Sequence, residues 1–373
     1  MRILFASSGP GYPLTLTGGA RVAHGLLRAL AALPGVECRA ATAKGLDGST
    51  NRHYLEWYPN LTEFESLGVR EVCLRDGRWR FHLGYPLDAA DPVQEVFREA
   101  LEEFRPTVLY VQGRSALPLL EEALGRGVPG LWYVHAVPPF IDPDAVRAAA
   151  TAGVRLLCCA RFVRDGLREA AGVDAEVLYP MIAEEDYRVT RDREGWITMF
   201  NPVEFKGLEI LLRLAPLLPE ERFLVVESWF LGAAREEVRA RLESQPNVRF
   251  QRRVPDVREV FRRTEILLVP SVGPDAAPRV VLEAQASGIP ALVSGLGGLP
   301  EVVGEGGLVI RDHLDPEAWA AAIRSLRRDP GALARLGEAA LQHLRGDGFA
   351  AAAIVRRFHD VCREVEGGGR PGP

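Results

Sequence analysis

Short apolar runs of strand length alternate with stretches of helical spacing from one end of the chain to the other, and that alternation leaves few architectures open. A strand, a crossover helix and a further strand bring the chain back parallel to itself, which builds layered α/β domains around parallel sheets. Strands are predicted at Arg2–Ser7, Val36–Ala41, Thr107–Gln112, Gly130–Val134, Val154–Cys159 and Ala175–Tyr179, with helices among them at Ala20–Leu33, Leu117–Leu124 and Arg161–Ala171. A second series follows. Its strands are predicted at Trp196–Phe200, Arg222–Glu227, Val248–Phe250, Glu265–Pro270 and Pro290–Ser294, and its helices near Gly207–Leu217, Glu236–Leu242, Val257–Arg263 and Val280–Ser287. Three more helical stretches, Pro316–Arg327, Pro330–His343 and Phe349–Glu366, close the chain.

Between the two series the stretch Ala183–Glu194 is almost wholly polar, as a connector between domains is. The 373 residues also exceed the roughly 250–300 at which one core stops growing. The expected organisation is an N-terminal Rossmann-like domain at 1–182 and a C-terminal one at 195–345. A helix at 346–366 returns to the first domain, and a disordered Gly- and Pro-rich tail follows at 367–373. Two open α/β sheets facing each other form a cleft, and ligands bind at the carboxyl ends of such strands. The segment 44–92 departs from the rhythm and is dense in aromatics: Tyr54, Trp57, Tyr58, Phe64, Trp79, Phe81 and Tyr85. It reads as an inserted hairpin or lid, either packing on itself or offering an aromatic wall to an acceptor.

A formal charge of −5 argues against nucleic acid as a partner. No apolar stretch approaches the ~20 residues a membrane span needs. The run Arg2–Ala6 is too short for a signal sequence. Five scattered cysteines without metal-ligand spacing suit a reducing, cytoplasmic setting. Arg324, Arg327 and Arg328 give a small basic helix face, which allows peripheral membrane contact at most and is more simply a solvated surface. Asp142-Pro143-Asp144 has the form of a two-acid metal motif, but nothing around it supports that use, and it reads as a turn. No metal or other cofactor is expected, and the oligomeric state is open.

The chemistry concentrates at two strand-to-helix junctions of the second series. Of the 45 Lys and Arg residues only Lys44 and Lys206 are lysine, so each stands out. Lys206 leaves the strand Trp196–Phe200 through Asn201-Pro202-Val203-Glu204-Phe205-Lys206-Gly207 and opens a helix, where a compact ammonium suits a phosphate. The second junction is Pro270-Ser271-Val272-Gly273-Pro274-Asp275-Ala276-Ala277-Pro278-Arg279-Val280. Its small side chains and the amides near Ala277 and Val280 allow close approach of a pyrophosphate. Glu283, about one and a half turns into the following helix, is placed to accept two ribose hydroxyls. Asp275 would face the donor beyond the phosphates. Arg279 and Glu283, spaced i,i+4, are alternatively a plain surface pair worth about 0.3–0.5 kcal/mol.

The stretch Asp275–Glu283, continued by Ala284-Gln285-Ala286-Ser287-Gly288-Ile289-Pro290 and Gly297-Gly298-Leu299-Pro300-Glu301-Val302-Val303, resembles the E-x7-E signature of retaining glycosyltransferases of family 4, which have the GT-B fold. The resemblance runs through most of the second half. It implies that Glu283 binds the donor ribose and that Asp275, one methylene shorter than the family's first acid, lies near the donor sugar. It implies that Lys206 is the diphosphate lysine, with Asn201 where the family commonly has arginine, and Arg279 is a candidate for the missing charge. Gly18-Gly19 resembles the family's Gly-Gly turn near the donor phosphate or the acceptor, and His135, at the end of Trp132-Tyr133-Val134-His135, matches a histidine that contacts sugar or acceptor. Base contacts would fall near Arg253-Val254-Pro255.

The expectation is a metal-independent retaining transferase with Lys206, Asp275 and His135 as catalytic candidates. Its partners would be a nucleotide-sugar donor and a small-molecule or glycan acceptor held by the first domain. Two alternatives remain open: a related enzyme that couples a cyclitol or uses a non-oxygen nucleophile, and a catalytically silent sugar-nucleotide sensor or scaffold. A nicotinamide fingerprint at Gly9-Pro10-Gly11 fails because its third glycine position is Leu14.

Overall fold

The computed structural model describes residues 1–10, 17–43, 71–73, 80–84, 92–113, 116–192, 194–228, 231–254, 256–346 and 348–368. In chain order the first series runs β1 Arg2–Pro10, α1 Gly18–Ala31, β2 Glu37–Ala43, β3 Glu71–Cys73, β4 Arg80–Gly84, α2 Pro92–Phe104 and β5 Val108–Gln112. It continues through α3 Leu117–Gly125, β6 Gly130–Val134, α4 Pro143–Thr151, β7 Arg155–Cys158, α5 Arg161–Ala171 and β8 Glu176–Val177. These strands make an eight-stranded sheet in the order β3-β4-β2-β1-β5-β6-β7-β8, parallel except for the β3/β4 pair.

The second series runs α6 Glu184–Tyr187, β9 Trp196–Phe200, α7 Leu208–Leu214, β10 Phe223–Val226, α8 Arg235–Glu243, β11 Val248–Gln251, α9 Arg258–Arg263 and β12 Thr264–Val269. It ends with α10 Arg279–Gln285, β13 Ala291–Ser294, α11 Leu299–Val303, β14 Gly307–Ile310, α12 Pro316–Arg328 and α13 Pro330–Arg345, before a last helix, α14 Ala351–Glu366. Its six strands form a wholly parallel sheet in the order β11-β10-β9-β12-β13-β14. Two compact units result: residues 1–181 with 352–373, and residues 182–351.

The elements follow from the sequence physics. Every residue of β5 and β6 is buried, as befits parallel strands covered by helices on both faces. On α5 the buried residues Val163, Leu167 and Ala171 recur every four positions, and Gly172 ends the helix in the left-handed conformation. Asp142-Pro143-Asp144 starts α4: the Asp142 side chain accepts from the Asp144 amide at 2.9 Å and Pro143 takes the first helical position. In the first unit α14 is anchored by Phe358, fully buried and edge-on to Tyr110 with ring centroids 5.0 Å apart, and by Arg357 gripping Glu176.

Some expectations need correction. The polar stretch 183–194 is more than a connector: it contains α6, whose Tyr187 is buried and packs within the second unit. Within the segment 44–92 the described part agrees with the hairpin alternative: β3 and β4 pair antiparallel, and β4 extends the first sheet beside β2. Phe81 lies on β4, while Tyr54, Trp57, Tyr58, Phe64, Trp79 and Tyr85 fall outside the described residues. Two residues of the basic face on α12 have partners in the fold: Arg327 pairs with Glu221 and Glu265, and Arg324, still partly exposed, donates to the Leu217 carbonyl at 2.7 Å. Among the described residues no helix is long and apolar enough to cross a membrane. Of the tail, only residues 367 and 368 are described.

His343 on α13 is half-buried, its ring tilted against that of Phe349 with centroids 4.4 Å apart, and it occupies the space a side chain at Gly304 would need. Burial lowers its pKa, outweighing the opposite effect of the Val302 and Glu301 backbone and of the Glu305 charge. A histidine whose pKa is lower in the fold than in the unfolded chain contributes stability fully above the unfolded imidazole pKa, and that contribution is lost as pH falls through the folded pKa. The urea midpoint of the wild type is therefore expected to fall between pH 7.5 and pH 5.5, and His343→Gln to show a smaller fall over the same interval.

Candidate functional site

In the second sheet the strand order reverses between neighbours β9 and β12, so the chain leaves their carboxyl ends in opposite directions and opens a crevice. Such a switch point is where open α/β sheets bind ligands. The loops leaving these two strands carry Asn201–Gly207 and Pro270–Pro278, the segments singled out by sequence.

The loops are locked together by backbone approach. Gly207 has φ +88, and a Cβ there would overlap the Pro270 carbonyl at the end of β12, so the Lys-Gly junction requires glycine on two counts. The Val272 amide donates to the Phe205 carbonyl at 3.0 Å across the same seam. Asn201 ends β9 with φ +61, a conformation asparagine tolerates better than other side chains with a Cβ. Its amide donates to the Val226 carbonyl at 2.9 Å and its own carbonyl accepts from Val203 at 2.8 Å.

Across this seam Lys206 ion-pairs with Asp275 Oδ1, and the side chains are only 13% and 12% exposed. The other carboxylate oxygen of Asp275 accepts from Ser271 Oγ at 2.7 Å. Ser271 is fully buried, and its carbonyl accepts from the buried Ser294 hydroxyl at 2.6 Å. The Asp275 carbonyl accepts from the Gly298 amide at 2.7 Å, and Gly297, at φ +58, leaves no room there for a Cβ. A small cavity beside this cluster is lined by Asn201, Lys206, Ser271, Pro278 and Val280, together with the ends of β9 and β12.

At the start of α10, Arg279 Nε donates to Glu283 Oε1, one turn on, at 3.2 Å and an Arg279 amino group donates to the Tyr187 hydroxyl at 2.9 Å. The i,i+4 pair exists, yet its side chains are 10% and 11% exposed, so it is not a solvated surface pair. The flanking Val281, Leu282 and Ala284 are fully buried. Arg279 is thus directed at Glu283 and Tyr187. Ala277 lies half-buried in the loop before α10, and Val254, three residues past β11, packs against the cluster of Trp196, Leu224, Val226 and Val260.

The remaining candidates lie in the first unit. Its strand order reverses between β1 and β5, and Gly19, in the first turn of α1, sits opposite Gln112 at the end of β5, where an added Cβ would lie 3.5 Å from the amide oxygen. Thr17 caps that helix ahead of Gly18 by accepting from Ala20. His135 follows β6, its ring 4.2 Å from that of Tyr133. Among the described residues no group of three or more His, Cys, Asp or Glu is arranged to hold a metal ion.

Sequence reasoning gave no role to Ser271, Ser294 or Tyr187. Ser271 had a usable signal, since it directly follows the last residues of β12 at the carboxyl edge. Tyr187 had none, because a single helical turn carries no periodicity.

Comparison with known proteins supplies the class. The fold is GT-B: sucrose-phosphate synthase from Thermosynechococcus elongatus superposes with a TM-score of 0.77 at 17% identity, over 98% of this chain and 99% of that one. Anabaena HepE, solved in complex with UDP and glucose, superposes with a TM-score of 0.75 at 16% identity, over 98% of this chain and all of that one. Residues 194–329, all within the second unit, match the family Glycosyl transferases group 1. A D-inositol 3-phosphate glycosyltransferase of Catenulispora acidiphila is 30% identical over 225 residues, 54% of this chain and 52% of that protein. The matched segments span about half or less of such curated relatives.

The left-handed backbone at Asn201 gives a direct test. Asn201→Ala is expected to cost about 1 kcal/mol of stability, and Asn201→Gly a few tenths at most, in urea unfolding.

Proposed function

We propose that the protein is a retaining glycosyltransferase of the family 4 type, moving a sugar from a nucleoside diphosphate donor to a hydroxyl of an acceptor carried by the first domain. The observation that supports it most is the position of Lys206, a shielded ammonium at the switch point between β9 and β12, on a cavity shared with the entrance to α10. Glu283, oriented by Arg279, is the acid for the donor ribose.

In this reading the bond between the anomeric carbon and the diphosphate oxygen breaks while the acceptor oxygen bonds to the same face of that carbon. The leaving phosphate oxygen takes the acceptor's proton, and the electron pair of the broken bond stays on the diphosphate. Lys206 stabilises that charge as it develops, which is where a fixed cation contributes most. No metal is invoked. Gly18 and Gly19 at the head of α1 and His135 after β6 are the first-unit groups assigned to donor phosphate or acceptor. A cytoplasmic setting is part of the proposal, supported by Cys38, Cys158, Cys159 and Cys362 being buried thiols.

Because Anabaena HepE was crystallised with UDP-glucose and curated relatives are named for D-inositol 3-phosphate, these two compounds head the donor and acceptor panels. Turnover with retention at the anomeric carbon, read by proton NMR of the product, is the expected result. An inverted product contradicts the mechanism, and donor binding without turnover over the panel leaves a sensor. Lys206→Ala is expected to lower kcat by about 10²–10³-fold. Lys206→Arg is expected to restore only a small part, since a planar guanidinium does not replace a compact ammonium.

A further inference from the structure

The first acid of the signature is held in a way that gives it a task toward Lys206. Both carboxylate oxygens of Asp275 are engaged, one by Lys206 and one by Ser271, and its carbonyl is tied to the Gly298 amide. Ser271 is itself fixed through Ser294, and the backbone at Gly297 closes over Asp275 without space for a side chain. The Asp275 side chain is also one methylene shorter than glutamate.

From this geometry we infer that Asp275 is a positioning residue and an internal stand-in for phosphate: its carboxylate holds the Lys206 ammonium in place and competes with the donor's diphosphate for it. The inference rests on the reading of Lys206 as the diphosphate cation. A carboxylate and a phosphate present the same chemistry to an ammonium, an anionic oxygen at hydrogen-bond distance. Arrival of the diphosphate therefore replaces one strong pair with another or shares the ammonium between two anions, and in both cases the Asp275 charge opposes nucleotide binding. The same charge also offsets the cost of a nearly buried lysine charge when no nucleotide is present. Product release benefits as well, because Asp275 recaptures Lys206 as the nucleoside diphosphate departs.

The opposing charge gives the test its sign. Asp275→Asn keeps the shape and an acceptor oxygen for Ser271 but removes the competing charge. Isothermal titration of UDP and GDP into the wild type, Asp275→Asn, Lys206→Ala and the double variant measures the effect, with thermal melts confirming that each is folded. Asp275→Asn is expected to bind whichever diphosphate the wild type binds about five- to tenfold more tightly, and the gain is expected to vanish in the double variant. Structural damage does not produce a gain of this kind, so a merely architectural Asp275 would give weaker or unchanged binding. Weaker or unchanged binding in Asp275→Asn, with Lys206→Ala weakened, overturns the inference and leaves the function standing. Unchanged binding in Lys206→Ala overturns both. Ser271→Ala, which frees the carboxylate on one side, is expected to shift affinity by less than Asp275→Asn, and a larger shift also contradicts the account.

Discussion

The meeting of Lys206 with Asp275 across the seam between β9 and β12 is the contact on which the rest of the second unit's chemistry depends. It joins residues 69 positions apart in sequence and exists because those two strands are neighbours at the reversal of the sheet order. The approach also needs backbone that lies close: Gly207 under the Pro270 carbonyl, Gly297 over Asp275. A pair this shielded has lost much of its hydration, so it contributes less to stability than its Coulomb attraction suggests. Its value lies in placing a cation at the crevice.

A second pair, Arg279 with Glu283, repeats the logic one turn along α10, with Tyr187 from α6 supporting the arginine. α6 is further tied down where Ser287 accepts from the Val189 amide and donates to the Tyr187 carbonyl. The polar stretch that enters the second unit is thus part of the platform that orients the proposed ribose acid. Both charged couples are internally neutral, so a dianionic ligand entering here must compete for cations already engaged.

Much of the fold was legible because it rests on local signals. The strands Gly130–Val134 and Trp196–Phe200 and the helix Arg161–Ala171 coincide with the observed elements. Each is a clean apolar run or four-residue period with a clear stop. A hairpin was expected where β3 and β4 lie, but their bounds and their place at the sheet edge were not legible, because both are short; β14, which follows glycines with only a brief apolar run, was missed. In the site, Lys206 stood out by rarity and Glu283 by its distance from the helix start. The pairing of Lys206 with Asp275 was not legible, because strand order decides which loops meet and no local pattern encodes it. The reason for asparagine at position 201 was hidden too, since it lies in a backbone angle.

The central claim is that a nucleoside diphosphate sits at the β9/β12 switch point with its phosphates on Lys206 and its ribose on Glu283. A crystal structure of the protein with a bound nucleoside diphosphate tests it most directly. A phosphate oxygen within hydrogen-bond distance of Lys206 Nζ, and ribose hydroxyls on the Glu283 carboxylate, is the expected result. A nucleotide bound with Lys206 and Glu283 both outside hydrogen-bond reach of it would contradict the account.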